Sequence, residues 1–70
     1  MLGHDMMTDQ TLLRDIEAFL RDHQMSPSRF GLEAMGDGAL VAQLRAGRSL
    51  SLRNAERVVR FMQSQGARAA

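Results

Sequence analysis

Ser26-Pro27-Ser28-Arg29-Phe30-Gly31-Leu32-Glu33-Ala34-Met35-Gly36-Asp37-Gly38-Ala39-Leu40-Val41-Ala42-Gln43-Leu44 is the stretch that decides the fold. It reads as two short helices and a tight turn. Ser26 suits an N-cap, and Pro27 then occupies the first helical position, where its missing N–H costs nothing. Phe30 and Ala34 fall four apart on one face, with the small Gly31 beside Phe30. Gly36 supplies the positive φ that a helix-ending turn needs. Asp37 is a good cap for a new helix, on which Leu40, Val41 and Leu44 form an apolar stripe that Gly47 closes. The expected bounds are 27–35 and 38–46.

On the N-terminal side, Thr8 or Asp9 can cap a helix running from about Asp9 to Gln24. Leu12, Leu13, Ile16, Phe19 and Leu20 recur at helical spacing, and Arg14, Asp15, Glu17 and Arg21 take the other side. His23 continues the apolar face as a packed histidine near the helix end. On the C-terminal side, Ser51 can cap a helix from Leu52 to about Gln65, which Gly66 ends. Leu52, Ala55, Val59 and Met62 make one stripe, Val58 and Phe61 widen it, and Arg53, Arg57 and Arg60 lie on the polar side. A stripe this wide closes a core and leaves Val58 and Phe61 as candidate anchors of a subunit interface. A short fifth turn is expected around Ser49-Leu50.

Seventy residues make one small domain, expected over 8–66, with residues 1–7 a frayed leader and 67–70 a frayed tail. Such a chain buries only about 60% of its unfolded surface, so its core is thin. The absence of cysteine excludes disulfides and thiolate metal sites, and His4 and His23, nineteen residues apart, make no ligand set. No metal or cofactor is expected. No apolar run approaches a membrane span and no signal peptide is visible, so the expected location is the cytoplasm, on the nucleoid. There is no phosphate-binding glycine loop, carboxylate pair or nucleophile–base pair, and an enzyme reading has no support.

The net charge of +1 hides an asymmetry: residues 1–26 carry −3 and residues 27–70 carry +4. The basic half contains the two-helix stretch, which is the polarity a nucleic-acid surface needs. The leader holds no lysine or arginine, so it is not expected to act as a DNA-reaching arm.

A helix, a short Gly-containing turn and a second helix form the helix-turn-helix arrangement. The stretch resembles that unit of the lambda-repressor-like (Cro/repressor, XRE-type) regulators. In that family a large apolar residue followed by a small one lets the helices cross, here Phe30-Gly31. Two buried apolar residues follow, here Val41 and Leu44, ten and thirteen positions after the small one. One feature departs: the family places Gly directly before an apolar residue at the turn, and here the order is Met35-Gly36, which implies a turn shifted by a residue. The likeness spans roughly Leu12 to Met62.

The resemblance implies a compact all-α bundle of four to five helices with the helix-turn-helix at about 26–46. It implies a small bacterial or phage-type transcriptional regulator that binds double-stranded DNA, with helix 38–46 in the major groove. Gly38, Ala39, Ala42 and Gln43 then face the bases. Gln43 is the best reader, because glutamine pairs bidentately with adenine. Ser26, Ser28 and Arg29 at the preceding helix N-terminus, with Arg45 and Arg48 around the following turn, meet phosphates. Such units work as dimers on two half-sites, so a homodimer is expected. The competing reading is a protein-interaction module on the same scaffold, recruiting RNA polymerase or another regulator, supported by the small side chains of helix 38–46 and the acidic first helix. A nucleoid-associated binder without sequence preference is the third.

Overall fold

Apolar spacing, caps and turn residues place four helices in the computed structural model, which describes residues 9–69 and the side chains of residues 9–65. They are α1 (Asp9–His23), α2 (Pro27–Met35), α3 (Leu40–Arg45) and α4 (Leu52–Ala69). Among the described residues there is no strand, and the chain is an all-helical bundle as expected. The leader 1–7 lies outside the described residues.

The three connections each turn through one left-handed residue. After α1, Met25 N–H donates to the Leu20 carbonyl across a left-handed Gln24, φ 51°. After α2, Asp37 N–H donates to the Gly31 carbonyl across Gly36, φ 69°. After α3, Arg48 N–H donates to the Gln43 carbonyl across Gly47, φ 106°. The first and third are Schellman closures and the second is a wider αL closure, in which Gly36 N–H also donates to the Leu32 carbonyl; all three satisfy carbonyls that the helix end would otherwise leave bare. Glycine takes the left-handed position at two of them. Gln24 does so at the third, where its Cβ is strained.

The caps follow the sequence. Ser26 Oγ accepts from Arg29 N–H at 3.1 Å, and Ser51 Oγ accepts from Asn54 N–H at 3.2 Å. The elements differ from expectation in a few places. Helix α3 begins at Leu40, two residues late, because Asp37 closes its own turn first: its Oδ1 accepts from Ala39 N–H at 3.0 Å, and its carbonyl from Leu40 N–H at 3.1 Å. Helix α4 runs through Gly66 to Ala69, so residues 67–69 are helical and not a frayed tail. A mid-helix glycine costs only about 1 kcal/mol against alanine, and the alanines and arginine beyond it favour helix. The fifth turn around Ser49-Leu50 is absent, and residues 48–51 form no helix.

Helix α2 is the hub. It packs against α3 and α4, and α1 packs against α3. Phe30 is fully buried, with Leu12, Ile16, Phe19 and Leu20 of α1, Leu40, Val41 and Leu44 of α3, and Ala55 and Val58 of α4 around it. Phe30 meets Phe19 and Phe61 edge-on at centroid distances of 5.5 and 5.4 Å, the arrangement aromatic quadrupoles favour. His23 stacks on Phe19 at 4.0 Å and extends this cluster to the end of α1.

This corrects the expected subunit anchors. Val58 is fully buried and Phe61 packs against Phe19 and Phe30. Phe61 completes the aromatic cluster, so the stripe of α4 is turned into the domain except at Leu52 and part of Val59.

Gly31 fixes the crossing of α2 and α3. A Cβ there would lie 2.1 Å from the Asp37 carbonyl oxygen and 3.1 Å from Leu40 Cβ. No rotamer relieves a clash with backbone. Gly31→Ala is expected to lower stability by about 3 kcal/mol or more, at the top of the overpacking range. For a domain this small, thermal melting should then show a loss of well over 10 °C, at roughly 4–8 °C per kcal/mol, or no cooperative transition. Gln24→Gly should act oppositely. It relieves left-handed strain at an entropic cost in the unfolded chain, and a rise of up to about 1 kcal/mol in urea denaturation is expected.

Candidate nucleic-acid interface

The outward side of α2, its turn and α3 is where the sequence places a binding surface. Ala39, Ala42 and Gln43 are exposed there, and Gly38 is half-buried. Gly38 tucks beneath Leu32 of α2: a Cβ at Gly38 would stand 3.6 Å from Leu32 Cγ. Leu32 itself is 58% exposed, so the surface beside the turn is more apolar than the pattern of α3 alone suggests. The small residues keep this side of the backbone open to close approach.

The start of α2 holds Ser26, Ser28 and Arg29, all exposed. Ser26 is used as the cap. Arg29 Nε donates to Glu33 Oε2 at 2.6 Å, one helical turn on. At the far end of α3, Arg45 makes a two-pronged ion pair with Glu17 of α1, Nε to Oε2 and Nη2 to Oε1, each at 2.7 Å. The hydrogen bonds from Arg45 outweigh the opposing effect of burial and, with its charge, hold the Glu17 carboxyl below its usual range.

Arg48 turns back over the motif. Its Nη1 donates to Asp37 Oδ2 at 3.2 Å and to Gln43 Oε1. Asp37 therefore has both oxygens engaged, one on Ala39 N–H and one on Arg48. The carboxylate that would repel phosphate is neutralised in place. The fold thus gathers Asp37, Gln43 and Arg48 into one cluster, while Arg45 is drawn towards α1 and Arg29 towards the next turn of α2.

The carboxylate partners are what sequence reading left out. Arg29 and Glu33 stand four apart, which is a readable signal. Glu17 and Arg45 are 28 residues apart, and only the packing of α1 on α3 joins them.

Glu17 has a folded pKa below its unfolded value, so the pair contributes stability above the ordinary carboxylate range and loses it as pH falls through and below that range. Chemical denaturation should find wild type more stable than Glu17→Gln at about pH 7, with the difference shrinking steadily as the solution is acidified through and below the carboxylate range. Both side chains are partly exposed, so added salt should also shrink it. An unchanged difference at about pH 3 would count against the ion pair.

Compared with protein-family models, curated proteins and solved structures, the chain matches none. Its function is therefore argued from the geometry of this surface.

Proposed function

We propose that the protein is a small DNA-binding regulator of transcription that reads duplex DNA with the exposed side of α3. The observation that supports this most is the turn between α2 and α3. Gly31 and Asp37 lie in backbone contact there, and the crossing they fix leaves Ala39, Ala42 and Gln43 facing solvent. A helix presented in this way, with small side chains towards its N-terminus, fits the major groove. The likeness to lambda-repressor-like units described above points to the same use.

Gln43 is the base reader in this reading. Arg48 takes its Oε1, which leaves the side-chain NH₂ as a pure donor. The fitting partners are purine N7, guanine O6 and thymine O4. Adenine's paired donor–acceptor edge fits once Arg48 lets go. Ala39 and Ala42 suit contact with a thymine methyl. Ser28, Arg29 and Arg45 border the surface as phosphate partners, the two arginines by exchanging a carboxylate for a phosphate, while Arg48 stays on Asp37 and Gln43.

A helix of only six residues reads few bases, so specificity calls for two copies on adjacent half-sites. The contact between copies then avoids Val58 and Phe61, which the core occupies. The proposed place of action is the bacterial nucleoid. Among the described residues no helix is long and apolar enough to cross a membrane.

One observation favours the alternative of a protein-interaction module recruiting RNA polymerase or another regulator. The three arginines of the motif are all ion-paired, and Leu32 stands exposed beside Gly38.

The two readings part in fluorescence anisotropy with randomised duplex DNA, followed by selection of a preferred site. Gln43→Ala should cut the preference for the selected site by about 1–3 kcal/mol and leave affinity for random duplex nearly unchanged. Ala42→Glu should weaken both, because its carboxylate meets the phosphate-rich groove. Absence of duplex binding by the folded protein at low salt would discard the DNA reading in favour of the protein module.

A further inference from the structure

The arginines around α2 and α3 are matched by carboxylates: Arg29 by Glu33, Arg45 by Glu17 and Arg48 by Asp37. Arg21 lies 3.8 Å from Asp22. Among the described residues, Arg14, Arg53, Arg57 and Arg60 have no carboxylate within ion-pairing distance. Three of those four stand on α4.

Their placement is not scattered. At 3.6 residues per turn, Arg53, Arg57 and Arg60 fall within an arc of about 60°, and their Cα positions span about 10 Å along the axis. The arc lies opposite Ala55 and Met62, which α4 turns towards the core. All three arginines are exposed. Glu56 is the single carboxylate among the described residues of α4 and pairs with none of them. Like charges at i,i+3 and i,i+4 destabilise a helix. Glu56, three residues from Arg53 and four from Arg60, offsets part of that repulsion, and an external polyanion would offset the rest.

We propose that the Arg53–Arg57–Arg60 row is a phosphate-contacting surface that lies against the backbone of a nucleic-acid duplex. It is distinct from the exposed side of α3 and takes from the DNA reading only the identity of the polyanion. A duplex carries one negative charge per about 1.7 Å of axis, so a row this long meets phosphate in any register. Guanidinium groups bind phosphate in two-pronged fashion without reading bases. An anionic membrane is the poorer partner. A helix lying on a bilayer inserts an apolar face, and that of α4 is turned into the core except at Leu52 and part of Val59.

The test is the salt dependence of binding to randomised duplex DNA, with helical content and melting followed by circular dichroism. The triple variant Arg53→Gln/Arg57→Gln/Arg60→Gln keeps good helix formers at each position. Its slope of log affinity against log salt should be shallower by about 2.7, at roughly 0.9 per lost phosphate contact, with the site preference set by Gln43 intact. Arg57→Gln and Arg14→Gln change net charge equally. Arg57→Gln should lower the slope by about 0.9 and Arg14→Gln should leave it alone.

An unchanged slope in the triple variant, or equal effects of Arg14→Gln and Arg57→Gln, overturns the row and leaves the DNA reading of α3 standing. Binding that ignores Gln43→Ala and Ala42→Glu but fails in the triple variant upholds the row and overturns that reading. Absence of duplex binding by wild type overturns both, and binding to phosphatidylserine vesicles in its place reassigns the row to membranes.

Discussion

The approach of Gly31 to Asp37 sets the geometry of the whole functional side. The Asp37 N–H donates to the Gly31 carbonyl, and the Asp37 carbonyl occupies the space where any other residue at position 31 would place its Cβ. The turn is thereby bonded to α2 and pressed onto it at one point. Leu40 follows at once and drops into the core. From there the direction of α3 is set, and with it the outward placement of Ala39, Ala42 and Gln43. Asp37, held by its backbone, aims one oxygen at Ala39 N–H and the other at Arg48. A thin core of four helices has few other means of fixing a surface, which is why so much rests on one glycine.

Charge is distributed by a second rule. The motif arginines, Arg29 of α2, Arg45 of α3 and Arg48 just beyond it, each find a carboxylate within reach, two of them by tertiary placement and one by helical spacing. The acidic bias of the first 26 residues is thus partly spent locally, as Glu17 is on Arg45. The positive excess of the second half, visible in the sequence as a bulk property, becomes a row on α4. The +4 of residues 27–70 reads as a basic motif in one dimension and as a basic last helix in three.

Much of the fold was legible because local signals at both ends of an element agreed. Helix α2 carries Ser26-Pro27 at one end and Gly36 at the other, and both its bounds came out as expected. The core face of α1 follows from the spacing of Leu12, Ile16, Phe19 and Leu20. Misreadings arose where two local signals competed or where distance intervened. Asp37 favours a cap and also a turn of its own, and the turn delays α3. Gly66 marks a helix end in isolation, yet the residues beyond it carry α4 on. Val58 and Phe61 looked surplus because the spacing of α4 does not reveal that Phe19 and Phe30 need an aromatic partner from it. At the candidate site the residues themselves were legible, but Glu17 against Arg45 depends on how α1 crosses α3, which no local pattern encodes.

The ion pairs of the motif do not disqualify its arginines as phosphate partners; they set an order of engagement. Arg29, Arg45 and Arg48 are all partly exposed, so water already screens each pair, and a phosphate replaces one anion with another at the same guanidinium. The exchange strands a carboxylate in each case. Glu33 and Glu17 are left beside solvent that can hydrate them. Asp37 is left beneath α3 with one oxygen still tied to Ala39 N–H, close to where an incoming backbone would lie. Arg48 is therefore the least free of the three to move, and by staying it both neutralises Asp37 and keeps Gln43 turned as a donor. In the DNA reading the consequence is a division of labour. The unpaired arginines of α4 supply attraction without rearrangement, Arg29 and Arg45 add to it by exchange, and Arg48 works by holding the reading surface in one arrangement.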